Sequence, residues 1–183
     1  MKYIALLLTF FIASCTSVPA HEDNLHKTET GEAHRAEHHA ADHHTEDEPR
    51  PYDAEADAEV DINHTLVAAK EEGKLAMLLF GANWCHDSRA LAAHFEKPRF
   101  QTLLNSQYKL AYVDVGQKNR NIDHARKFGV DDIVGTPTIF ITNSEGEVLN
   151  LDTAPTWRNA ASRNEDDIFD YFREYAHGGP AAQ

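Results

Sequence analysis

Residues 84–88 read WCHDS. An apolar run, LAMLLF at 75–80, precedes them, and HDSRALAAHFE follows from position 86. The run is short and unbroken, as expected of a strand buried on both faces. In the stretch that follows, Leu91, Ala92 and Phe95 share one side of a helix. Cys85 therefore stands where a strand hands over to a helix. Ser88, not a second cysteine, comes three residues later.

Outward from this junction the same two patterns alternate. Upstream, DINHTLVAAKEEGK places Ile62, Leu66, Val67 and Ala69 near helical spacing, with Gly73 as the stop. Downstream, Pro98 interrupts the helix and RFQTLLNS is expected to carry it on for a last turn or two. KLAYVDV reads as a second strand and NRNIDHARKFGV as a helix closing at Gly129. PTIFITNSEGEVLNLD reads as two strands around an Asn-Ser-Glu-Gly turn, an antiparallel hairpin. NEDDIFDYFREYAHGG is a closing amphipathic helix carrying Ile168, Phe169, Phe172 and Tyr175. Strands joined through helices are parallel neighbours, so the expectation is an α/β domain over residues 60–177. Its central mixed sheet has four to five strands with helices on its flanks.

The rest of the chain is of another kind. MKYIALLLTFFIASC begins with a lysine at position 2, runs apolar from 4 to 12 and ends in small residues. That block is shorter than the ~20 residues of a spanning helix, so residues 1–14 read as an export signal. Residues 16–58 hold seven of the twelve histidines, many acids and almost no large apolar residues. Such a composition cannot offset its ordering entropy and is expected to be a disordered tether, reaching roughly 35–40 Å as a coil. Residues 178–183 are expected to be a flexible tail. Net charge is −13, and no basic patch or aromatic array suggests nucleic acid as a partner. No internal repeat appears.

The four residues 12–15, Ile-Ala-Ser-Cys, resemble the lipobox of bacterial lipoproteins. The resemblance implies that Cys15 is lipidated and anchors the protein to a membrane. Thr16 in place of aspartate then favours the outer membrane of a Gram-negative cell. Cleavage after Ala20, which would release a soluble periplasmic protein, is the other reading. Both are extracytoplasmic, and both leave Cys85 as the sole thiol, since the sequence has two cysteines. An unpaired cysteine in an oxidising compartment is either a small buried apolar residue or a reactive group.

FGANWCHDS, YVDV, KFGVDDIVGTPTIFI and SEGEVL, in that order, resemble the thioredoxin superfamily over nearly all of residues 60–177. The nearest likeness is to periplasmic thioredoxin-like proteins. The resemblance implies a thioredoxin-like fold that needs no cofactor and acts on the thiols and disulfides of extracytoplasmic proteins. It assigns Cys85 as nucleophile, Pro137 as the cis-proline facing it, and Trp84 as a shielding, substrate-contacting aromatic. Thr136 would offer backbone hydrogen bonds to an extended substrate. Two positions depart from the pattern: Ser88 replaces the resolving cysteine, and Leu79 stands where a buried acid would assist it.

A thiolate at a helix N-terminus is favoured by unpaired amides and the helix dipole. Protonated His86 would push the same way, Asp87 would oppose it, and the Ser88 hydroxyl could donate to the sulfur. Without a second thiol the chemistry contracts to monothiol exchange: disulfide isomerisation, reversal of glutathione-type caps, or holding clients as mixed disulfides. Two other readings stand beside this one. The fold could grip partners without turnover. Alternatively the chain could handle zinc or copper, through Cys85, His86 and His124 or through tether histidines. His34/His38 and His39/His43 are spaced i, i+4, with His44 adjacent. The plainer reading of His86, His94 and His124 is exposed helix residues.

Overall fold

The structure is a computed structural model that describes residues 48–179. Helix α1 (Ala58–Glu72) starts at Asp57, whose carboxylate accepts from the amides of Glu59 and Val60. It stops at Gly73, whose φ of 64° suits a residue without a Cβ. Strand β1 (Leu75–Gly81) runs into α2 (His86–Phe95), then α3 (Pro98–Gln107) and strand β2 (Tyr108–Asp114). A short α4 (Ile122–Lys127), strand β3 (Thr138–Thr142) and α5 (Glu165–Ala176) complete the order.

The strands lie in the order β2-β1-β3. β1 and β2 are parallel, with Leu75 opposite Tyr108 and Gly81 opposite Asp114. β1 and β3 are antiparallel, with Phe80 opposite Thr138. Side-chain alternation along β1 then builds two cores. Met77 and Leu79 face a cluster with Phe95, Phe100, Trp157 and Phe172. Leu78 and Phe80 face the opposite cluster with Ile62, Val113 and Phe140. The central strand is thus buried on both faces, as its unbroken apolar run requires.

Three expectations are corrected. Pro98 does not merely break a helix; it opens a separate ten-residue one, at a first-turn position where a missing N–H costs nothing. The sheet has three strands among the described residues, not four to five. After the turn at 143–146 the returning chain makes one bridge, Thr142 to Val148, and one amide bond, Leu149 N to Ile141 O at 2.8 Å. The side chain of buried Asn150 then takes the place of a fourth strand. Its Oδ1 accepts from Ile141 N at 2.8 Å, and its Nδ2 donates to Ile139 O at 2.8 Å. Two 3-10 turns (Ala154–Trp157 and Ala160–Ser162) follow where the sequence pattern showed no element.

The third correction concerns the start of the folded region. Residues 48–57, expected to be tether, pack against the domain. Tyr52 is 3% exposed, and its ring meets Tyr112 edge-on with centroids 5.3 Å apart. One large aromatic supplies the burial that the polar residues around it lack. The export signal, Cys15, most of the tether and the last four residues lie outside the described part.

Candidate active site around Cys85

Cys85 is the N-cap of α2, with extended backbone at φ −82° and ψ 122°, directly after the C-terminal end of β1. A turn closed by Cys85 N and Ala82 O at 3.1 Å places it there. The residue is 9% exposed, and its Sγ donates to Thr136 O at 3.2 Å. The Thr136–Pro137 peptide is cis. The structure therefore brings Cys85, Thr136 and Pro137, which lie some fifty residues apart in the chain, onto one point.

The neighbours divide clearly. Trp84 is 47% exposed, tied by Nε1 to Gly116 O at 2.7 Å, and so presents an apolar face to solvent beside the sulfur. His86 is exposed. Asp87 turns aside: its Oδ1 accepts from Ala161 N at 2.9 Å, so its charge is spent on a backbone amide. Ser88, one helical turn inside α2, is 1% exposed, and its hydroxyl has no hydrogen-bond partner. Leu79 lies in the core at 1% exposure, where an ionised group would be costly.

Other expected residues do not converge. His124 sits on α4 and His94 in the last turn of α2. No group of three or more His, Cys, Asp or Glu side chains among the described residues could hold a metal ion, so Cys85, His86 and His124 do not assemble as ligands. The tether candidates His34, His38, His39, His43 and His44 lie outside the described residues.

Sequence reasoning missed four residues that hold the Cys85 loop. The Asn83 side chain accepts from Tyr52 N at 3.1 Å and donates to Tyr52 O at 2.7 Å. Buried Arg89 pairs with Glu48 at 2.8 Å and donates to Asn83 O at 3.0 Å. Burial first, then neighbouring groups, holds the Tyr52 hydroxyl far above the ordinary phenol range, so it remains protonated. One signal was available: Tyr52 is the only aromatic residue between positions 16 and 58.

Comparison with known proteins adds to this geometry. A family model described as thioredoxin-like matches residues 57–144. The crystal structure of a disulphide isomerase from Xylella fastidiosa Temecula1 is 31% identical, with a TM-score of 0.65. That match covers 69% of this chain and 97% of the isomerase. The reduced C-terminal domain of DsbD from Neisseria meningitidis is 19% identical, with a TM-score of 0.47; the match covers 64% of this chain and 96% of that domain. No curated protein matches the chain.

Proposed function

The chain belongs to the thioredoxin-like family, and on that premise we propose that it is an extracytoplasmic monothiol disulfide isomerase or oxidoreductase working through Cys85. The observation that carries the reading is the meeting of the Cys85 sulfur with Thr136 O at 3.2 Å, beside Pro137, while the second thiol position holds Ser88. Identity to a disulphide isomerase over nearly that protein's whole length supports it.

In this account the Cys85 thiolate attacks one sulfur of a client disulfide. A mixed disulfide forms, and the other client sulfur leaves as thiolate. A second client thiolate, or a small external thiol, then attacks the client sulfur of the mixed disulfide. The new bond forms and Cys85 departs as thiolate. Isomerisation by this route has no net oxidant or reductant. The Ser88 hydroxyl ionises far too weakly near pH 7 to resolve the adduct itself, so release waits for a thiol from outside the site. Thr136 and Trp84 would seat an extended client segment on either side of the sulfur. His86 would add charge only when protonated.

The same proposal covers the chain's address. Residues 1–14 would direct export, Cys15 would carry the lipid, residues 16 to about 47 would form the tether, and 180–183 a free tail after Gly178 and Gly179, whose amides bond Tyr175 O and Glu174 O. The test is recovery of activity by a scrambled disulfide-bonded protein in a dilute thiol buffer. The wild-type chain should speed recovery and Cys85→Ala should not. Equal rates for the two would overturn the reading.

A further inference from the structure

The Cys85 loop rests on a strap of residues 48–53. Asn83 pins the Tyr52 backbone on both sides, Arg50 donates to Asn83 O at 3.3 Å, and Glu48 is paired with Arg89. These contacts drive the Tyr52 ring inward against Tyr112. Its hydroxyl ends buried and without a hydrogen-bond partner, and so does that of Ser88. A Cβ added at Gly81 would lie 2.5 Å from the Tyr52 hydroxyl and 2.7 Å from Ser88 Oγ. The two oxygens therefore border the same small space, which the absence of a side chain at position 81 leaves open. Buried hydroxyls without partners are costly, and two beside one space are rarely left so without reason. Cys85 Sγ donates to Thr136 O at 3.2 Å, and Ser88 Oγ makes no hydrogen bond to the sulfur in this arrangement.

We propose that Tyr52 and Ser88 form a chain of two hydroxyl donors whose missing acceptor is the Cys85 sulfur in its anionic form. The proposal rests on the monothiol reading and names how that reading's sulfur is stabilised. Tyr52 donates to Ser88 Oγ, directly or through one water, and Ser88 donates to the sulfur one helical turn away. No proton changes hands. When an external thiolate attacks the client sulfur of the mixed disulfide, the bond breaks with its electron pair going to Cys85 Sγ. The hydroxyl chain meets that charge as it forms, and each bond in the chain polarises the next. Tyr52 is thus a positioning residue, acting through Ser88. It enters from the strap, while position 79, in the core, holds leucine.

The charged groups on the elements meeting at this point are His86, Asp87 and Arg89 on α2, Glu48, Arg50 and Asp53 on the strap, Asp114 at the end of β2 with Arg120 3.7 Å away, and Arg158, whose chain packs on Gly135. Asp87 is bound to Ala161 N and Asp114 to Gly116 N. Removing the Tyr52 hydroxyl alters none of these charges.

The test is the rate of alkylation by iodoacetamide against pH, read on the Cys85 peptide of the full chain by mass spectrometry. Wild type, Tyr52→Phe, Ser88→Ala and the double variant are compared with free cysteine. Wild type should outpace free cysteine near neutral pH. Each single variant should slow roughly three- to ten-fold there, with its profile moved to higher pH, as loss of one charge-assisted hydrogen bond implies. The double variant should match the slower single, because the two hydroxyls act in one chain. If wild type is activated and Tyr52→Phe overlays it, the donor chain is overturned while the monothiol reading stands. If wild type is no faster than free cysteine, both fall. Should Tyr52→Phe lose its fold, Ser88→Ala decides alone: a profile equal to wild type overturns the chain.

Discussion

Two buried polar groups in this molecule are built in opposite ways. Asn150 is fully buried and fully occupied: it bonds Ile141 N, Ile139 O and the Tyr171 hydroxyl. Its backbone oxygen also accepts from Thr153 N and Ala154 N. The Tyr52 and Ser88 hydroxyls are almost as deeply buried, and apart from each other no polar group answers them. Thr142 and Trp157 also bury an unpaired polar atom, but neither contributes to the space around Gly81 beside a sulfur. The difference separates a group that completes the fold from a pair that awaits something. A satisfied buried amide replaces a missing strand; an unsatisfied pair next to a nucleophile is incomplete until the nucleophile carries charge.

The comparison can be broken most forcefully at Asn150. Asn150→Ala should cost about 2–4 kcal/mol of unfolding free energy, because it strands an amide and a carbonyl on the buried edge of β3. Urea denaturation checks this, and a loss under ~0.5 kcal/mol would mean the edge finds water instead. Gly81→Ala should come next, at about 1–3 kcal/mol, since the added methyl must push Tyr52 and Ser88 apart. It should also slow Cys85 alkylation.

Below the pH at which Cys85 ionises, Tyr52→Phe should leave stability within ~0.5 kcal/mol of wild type or raise it, because the hydroxyl chain has no acceptor there. A clear loss in the same denaturation series would show that the hydroxyl has a structural partner, and the contrast with Asn150 would vanish. The smallest effect expected is at His94. Burial first, and then the Lys97 charge, holds its pKa below the ordinary value of 6.5, with Glu165 opposing. Its folded value is depressed, so the stability it contributes is complete above about pH 6.5 and is lost as pH falls through the lower folded value. His94→Gln should therefore lose less stability than wild type on mild acidification, measured by thermal melts at two pH values.

Much of this was legible in the residues. The unbroken run of β1 announced a strand buried on both faces, and WCHDS placed a cysteine at its exit. Gly-Thr-Pro at 135–137 marked the loop that meets it. What was not legible depended on contacts distant in sequence. Nothing local distinguishes an Asn150 that replaces a strand from one in a turn, so the hairpin reading gave a strand too many. Pro98 signals a break and equally a start, and only the packing of Phe100 and Leu104 selects the second helix. Tyr52 sits among acids and prolines whose composition argues for disorder. One ring inserted against Tyr112 overrides that composition for about ten residues.

The central claim is that Cys85 carries out the first half of a two-thiol cycle and cannot complete it alone. The direct measurement is the lifetime of a mixed disulfide between Cys85 and a disulfide-bonded peptide, followed by intact-protein mass spectrometry with no free thiol added. The wild-type adduct should form and persist until a small thiol is supplied, whereas the adduct of Ser88→Cys should decay on its own to an internal disulfide. A wild-type adduct that clears without added thiol, or a Cys85 that never forms one, would contradict the account.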